Sequence, residues 1–206
     1  MGFELVGVRP CLRTGDECAA LDKKAADAAF RRCKREVIDP FLASQGFRKY
    51  KTNAYVRRSG IDVLEYIDLQ KEHYGSKTFT LNLAVMPLYT SAYEPRDVVA
   101  FYVSHRLGEL ICRRDLWWDF ADERACAASM ENVCAALERY GLPWFRRMSD
   151  ERYVRLLLMK RKLTGRLSVY DEEWLAVLGE RRERGALVRQ RMEELGLPRA
   201  LWEREE

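Results

Sequence analysis

The segment Thr78 to Met86 alternates strictly, with Phe79, Leu81, Leu83 and Val85 set against Thr78, Thr80 and Asn82. This period of two predicts the clearest strand in the chain, closed by Pro87, which has no backbone donor to give. Val63 to Lys71 alternates less cleanly: Val63, Ile67 and Leu69 share one face, while Tyr66, Asp68 and Gln70 make the other face wetter. Upstream, Phe47–Tyr50 and Ala54–Arg57 flank Thr52-Asn53, a polar pair suited to a reversal, and predict a short hairpin. Arg106 to Ile111 reads as a fifth strand, with Leu107, Glu109 and Ile111 opposite Arg106, Gly108 and Leu110. Its glycine marks a bulge or a close backbone approach. Val98 to Val103 fits a short strand or a buried turn equally well. Short turns join antiparallel neighbours, so the pattern predicts a four- or five-stranded, mainly antiparallel sheet with helices on its apolar face.

The helical signals surround this sheet. From Asp16, the residues Ala26, Phe30, Cys33, Val37 and Phe41 recur at intervals of four, three, four and four, a stripe matching the apolar strand face. Asp39-Pro40 predicts a kink in this helix and Gly46 its stop. Asp122 opens a second helix with Cys126, Met130, Val133, Leu137 and Tyr140 on one side, and Gly141 with Pro143 is expected to end it. From Ser149 the character changes. Tyr153, Val154, Leu157 and Leu158 make a short amphipathic helix broken at Gly165, and a second block begins near Asp171. Trp174, Leu178, Val188, Met192 and Leu195 keep a heptad-like spacing there, but Arg181 and Gly185 spoil the seam and no long coiled coil is expected. Gly196-Leu197-Pro198 ends the block, and Glu203 to Glu206 should fray. Met1 to Gly15 has no strong period and reads as an irregular arm. The expectation is an α+β domain over residues 1–148 followed by a C-terminal helical appendage over 149–206.

Composition narrows the function classes. With 206 residues and 48% hydrophobic content, the chain can bury a real core. Lys and Arg number 36 against 32 Asp and Glu, a net charge of +4 that is interspersed and demands no anionic partner. The six cysteines include no Cys-x-x-Cys pair, and the two histidines, His73 and His105, lie far from any cysteine pair, so neither a metal nor a cofactor is expected. Without a leader-like start or an apolar run of about 20 residues, the protein is expected to be cytoplasmic, with no membrane contact.

The segments Phe41-Leu42 with Gly46-Phe47, Tyr55-x-Arg57, Leu69-Gln70-Lys71, Phe79-Thr80-Leu81-Asn82-Leu83, Arg106-Leu107-Gly108 and Trp117-Trp118 occur in an order that resembles a largely bacterial family. That family is catalogued as domain of unknown function 4304. The resemblance spans roughly Ala25 to Phe145 and leaves the last quarter of the chain outside. It implies a small α+β domain and brings no accepted activity, so it transfers no catalytic residue. The turn Tyr50-Lys51-Thr52-Asn53 departs from the family's glycine-lysine turn.

Candidate chemistry gathers in three places. Arg57, Tyr66, Asp68, Gln70, Thr80 and Asn82 could line a polar sheet face, with Arg57 supplying a cation for a carboxylate or phosphate and Gln70 and Asn82 orienting amides. A solvated sheet face with cross-strand hydrogen bonds explains the same residues more simply. Arg106 with Trp117 and Trp118 could stack a planar ligand, against the plainer reading of one core and one shielding tryptophan. The basic run Arg146, Arg147, Arg152, Arg155, Lys160, Arg161, Lys162 and Arg166 could track a phosphate backbone, though such runs mostly keep helices soluble. His73 and His105 lack an evident nucleophile to activate. No phosphate loop, nucleophile elbow or zinc-protease motif occurs. The expected function is a protein-interaction domain with a protein partner. A small-molecule or nucleotide enzyme on the polar sheet face is the alternative, and nucleic-acid binding through the basic helices, which is not expected, stands third.

Overall fold

The computed structural model describes residues 22–73, 75–90, 103–178 and 184–202. They form an α+β fold with a six-stranded, mainly antiparallel open sheet. The strands are β1 (Arg48–Lys51), β2 (Ala54–Arg58), β3 (Val63–Lys71), β4 (Thr78–Pro87), β5 (Val103–Arg106) and β6 (Trp118–Asp119). Their order is β1-β2-β3-β4-β5, and β6 also pairs with β4. The pairs β1–β2, β2–β3 and β4–β6 are antiparallel. The helices are α1 (Lys23–Cys33), α2 (Asp39–Ser44), α3 (Leu107–Cys112), α4 (Glu123–Ala136), α5 (Leu142–Met148), α6 (Glu151–Leu163), α7 (Val169–Val177) and α8 (Arg184–Glu194). Residues 1–21, 98–102 and 203–206 lie outside the described set, and with them the expected N-terminal arm, the start of the first helix, most of Val98 to Val103 and the fraying tail.

The chain divides into two compact units, each drawn from separated stretches. The first takes its described residues from 22–46, Leu69–Asn82 and Arg106–Gly141. Asp22 caps α1 by accepting from the Ala25 amide at 2.7 Å. The buried face of α1 carries Ala26, Phe30 and Cys33 as expected, but Val37 and Phe41 are only half-buried. A π-helical turn at Lys34–Ile38 is the reason, since one extra residue per turn moves the stripe by one position. Ile38 and Leu42 are therefore the fully buried residues, and Lys34 is carried onto the same face, where its ammonium bonds Asp39 at 3.1 Å. Pro40 follows this turn in the first turn of α2, where its missing backbone donor costs no intrahelical bond. Gly46, at φ 80, ends α2 as predicted.

The same device recurs after α4. Asp122 caps that helix, and Cys126, Met130, Val133 and Leu137 are fully buried. Gly141 and Pro143 do not stop it, as the sequence suggested: a second π-helical turn, Leu137–Gly141, leads straight into α5, with Pro143 at its second position. Within this unit Phe30 meets Phe79 edge-on at 5.2 Å and Phe120 at 5.0 Å. Trp118 packs on Phe79 and donates from Nε1 to Asn132 at 2.9 Å. The expected fifth strand is corrected here: only Val103–Arg106 is extended, and Leu107–Cys112 is helical. The Arg106 amide donates to Glu109 Oε2 at 3.3 Å, fixing the first turn of α3. Gly108 does mark a close approach, since a Cβ there would stand 2.5 Å from both the Arg114 carbonyl oxygen and the Leu116 amide nitrogen.

The second unit takes Phe47–Asp68, residues 83–90 and 103–105, and the described residues from 142 onward. The β1–β2 hairpin forms as read, with an irregularity between Lys49 and Lys51. Phe47 packs on Phe145, and Trp144 contacts Phe145 at 5.0 Å and His105 in a T-shaped pair at 5.6 Å. Several bonds of long sequence separation tie the C-terminal helices in. Tyr50 donates to the Leu195 carbonyl at 2.7 Å, Trp174 Nε1 to the Tyr89 hydroxyl at 3.1 Å, and Arg191 to the Thr90 carbonyl at 2.7 Å. Trp174, Leu178, Val188, Met192 and Leu195 are all buried, on α7 and α8 and at their ends.

Candidate interaction surface

The register of β2 against β3 places the sequence-derived polar set. Arg57 stands across from Glu65, and Val56 across from Tyr66, so Arg57 shares the face of Glu65, Ile67 and Leu69. Alternation along β3 puts Tyr66, Asp68 and Gln70 on the opposite face. Asn82 donates to the Gln70 carbonyl oxygen at 2.9 Å, so the two amides meet as a pair. The structure therefore joins Gln70 with Asn82 and does not bring Arg57 to them. Thr80, read from the sequence as part of an exposed face, is fully buried, and its Oγ1 has no partner. A central strand buried on both sides is the reason, since Ala84 and Met86 are buried as well as Leu83 and Val85. Burial, with Asp68 and Tyr50 adding to it, holds the Tyr66 hydroxyl well above its usual value.

Arg57 is instead committed to a buried acid that sequence reasoning passed over. Its Nε donates to Glu65 Oε2 at 2.6 Å, while Ser149 donates to Glu65 Oε1 at 2.7 Å. Glu65 is 2% exposed, and the Arg57 guanidinium lies over the Phe47 ring at 4.4 Å. Each oxygen of the carboxylate thus accepts a bond within one packed cluster, the kind of arrangement a buried charge requires. A glutamate on the apolar side of an otherwise alternating strand was the signal available in the sequence.

Arg106 and Trp117 do come together. The guanidinium lies 5.4 Å from the Trp117 ring centroid and is also ion-paired to Asp115. Trp117 is exposed, whereas Trp118 is buried in the core. His73 is exposed at its turn. In the basic region, Arg161 bonds the buried Asp171 at 2.7 Å and Arg155 the Leu178 carbonyl at 2.7 Å. Arg146, Arg147, Arg152, Lys160, Lys162 and Arg166 are exposed.

The most unusual surface lies on α6. Asp150 caps this helix through the Arg152 and Tyr153 amides, and Val154 with Leu158 forms its buried face. The opposite face carries Leu156, Met159 and Leu163, spaced to share one side of the helix, and Leu156 and Leu163 are 71% and 84% exposed. Tyr153, Val169 and Tyr170 are exposed nearby in sequence. Arg152, Lys160 and Lys162 border the stripe. The sequence reading found the buried side of this helix and missed the outward one, although the spacing of Leu156, Met159 and Leu163 was legible.

With this geometry in place, the α+β fold can be set beside known proteins. The chain belongs to the family described as domain of unknown function DUF4304, whose model matches residues 38–147, just over half of it. The match takes in the sheet and ends before the outward stripe of α6 begins. No curated protein and no solved structure matches the chain. Among the described residues, no helix is long and apolar enough to cross a membrane.

Proposed function

We propose that the chain is a non-catalytic protein-interaction domain of a bacterial cytoplasmic protein, and that its partner docks on the outward face of α6. The observation carrying this reading is the Leu156–Met159–Leu163 stripe, apolar surface left in water on a helix whose other face is already packed. Contiguous exposed apolar surface of this kind is costly to keep and is characteristic of binding sites. Covering each such side chain is worth on the order of 1.5 to 3 kcal/mol when burial is complete. The bordering Arg152, Lys160 and Lys162 favour a partner that sets acidic residues around an apolar helix or groove.

The competing readings have less support. A ligand site on the polar sheet face would need the Arg57 cation, which is spent on Glu65. Two of the basic-run arginines are engaged within the fold, Arg161 with the buried Asp171 and the exposed Arg155 with the Leu178 carbonyl.

The test is quantitative affinity capture from native cells by the full chain, compared with a Leu156→Asp, Leu163→Asp variant. Both positions are exposed, so stability should change by no more than about 0.5 kcal/mol per site in denaturant melts. The expected result is a defined partner retained by the wild type and lost at least about tenfold by the variant, a difference of about 1.4 kcal/mol. Equal retention by both proteins, or nothing retained specifically by the wild type, would overturn the reading.

A further inference from the structure

A cavity of about 610 Å³ opens in the second unit, lined among others by Arg58, Asp62, Glu151, Arg184, Arg189 and Trp202. Its volume falls in the range that small-molecule sites occupy. The lining charges are not equivalent. Arg58 donates from Nε and Nη2 to Asp62 Oδ1 at 3.0 and 2.6 Å, and from Nη1 to the Leu201 and Trp202 carbonyls at 3.3 and 3.1 Å. It is a structural wall, holding the Ser59–Asp62 turn, where Asp62 stands at φ 60, to the C-terminal residues. Glu151 has Arg155 at 3.5 Å.

Arg184 differs. Its guanidinium lies over the Tyr89 ring with Cζ 3.8 Å from the centroid, and Nη2 donates to the Val177 carbonyl at 3.4 Å, a long bond to a neutral group. Its Nε is sealed from solvent with no acceptor. A half-buried guanidinium with five donors and no carboxylate within ion-pair distance among the described residues keeps bonding capacity for a ligand. Arg189, from the next turn of α8, lines the same cavity and donates to the Gly185 carbonyl at 3.3 Å.

We infer that this cavity binds a small molecule through an oxyanion, a carboxylate or phosphate group held by Arg184 and Arg189, with Val188 and Trp202 beside its less polar part. Stacking on Tyr89 fixes the plane of Arg184, and a planar fork held in one orientation suits two-pronged recognition of an oxyanion. Asp62, already bonded to Arg58, repels such a group less than a lone carboxylate would.

The full chain is titrated calorimetrically with inorganic phosphate and separately with acetate, ionic strength held constant with chloride. Saturable one-to-one binding of at least one anion is expected, weakened about tenfold in Arg184→Lys, which keeps the charge and loses the fork, and severalfold in Arg189→Ala. Arg124→Ala, exposed on α4 and outside the cavity, should bind as the wild type does. Phosphate alone or acetate alone binding with this arginine dependence supports the inference and identifies the source of the oxyanion. No saturable heat with either anion, or equal affinity in the wild type and Arg189→Ala, overturns it. Arg189 is exposed, so its variant decides the matter even if Arg184→Lys fails to fold.

Discussion

Glu65 receives Arg57 across the β2–β3 pair at 2.6 Å, and this one contact turns a residue that looked like a ligand-binding cation into part of the core. Removing either partner leaves the other charge buried and unpaired, which typically costs about 3 to 5 kcal/mol. Arg57→Ala and Glu65→Ala should each lose stability near the lower end of that range, because Arg57 keeps some contact with water. The double variant should lose clearly less than the sum of the two. Urea melts of the four proteins measure this, and two small, additive losses would mean that the pair does not hold the strands together.

Thr80 carries a second expectation about the centre of the sheet. Its hydroxyl is fully buried without a partner, so it contributes a desolvation cost and no compensating bond. Thr80→Val, which keeps the shape and removes the polar atom, should stabilise by up to about 1 kcal/mol. Leu81→Ala and Leu83→Ala, from fully buried neighbours, should instead cost about 2 to 5 kcal/mol each. A destabilised Thr80→Val in the same melts would show that the hydroxyl has a bonding role.

The sheet was legible because strict alternation at Thr78–Met86 and turn chemistry at Thr52-Asn53 and Gly46 are local signals. Register is not local. Whether Arg57 faces Glu65 or Tyr66 depends on a one-residue choice of pairing that no single strand encodes. The π turns defeated periodicity in a different way, since a stripe read at 3.6 residues per turn points to Val37 and Phe41 where an inserted residue has made Ile38 and Leu42 the core. At Leu107–Cys112 the window was too short: Leu107, Leu110 and Ile111 fit a helix as well as the alternation fits a strand. The arginine at the cavity wall was beyond reach, because Arg184 meets Tyr89 only through tertiary folding.

Gly108 separates steric from intrinsic effects. Alanine inside a helix is normally about 1 kcal/mol better than glycine. Here the added methyl would stand 2.5 Å from two backbone atoms of the segment after α3, and backbone cannot swing aside as a side-chain tip can. Gly108→Ala should therefore destabilise by about 2 kcal/mol or more, the sign opposite to propensity. Thermal melts beside a Gly185→Ala variant, whose nearest neighbour is a flexible arginine tip at 4.0 Å, give the contrast, and equal behaviour at the two glycines would refute the close approach.

One fully buried thiol, Cys126, and one half-buried thiol, Cys134, predict how stability responds to alkali. Burial pushes Cys134 from 9.0 up to about 12, with Glu131 adding to the effect. Burial, reinforced by contact with Cys33, raises Cys126 in the same direction. In both cases the folded state favours the neutral thiol, so the unfolded chain loses its proton first as pH rises. The stabilisation is fully present below pH 9.0, the unfolded value, and is lost progressively as pH rises from there towards about 12. Each thiol should contribute a loss approaching about 1.4 kcal/mol per pH unit once well above its unfolded value. Replacing Cys134 by serine removes one titrating group, so its unfolding free energy should fall less steeply between pH 9 and pH 10.5 than that of the wild type. Urea midpoints at half-unit pH steps measure the slope. Iodoacetamide gives an independent check, because a thiol held protonated should be alkylated at pH 8.5 far more slowly in the folded protein than in urea. Identical pH slopes for the wild type and Cys134→Ser, or equal alkylation rates folded and unfolded, would show that burial does not hold this thiol neutral.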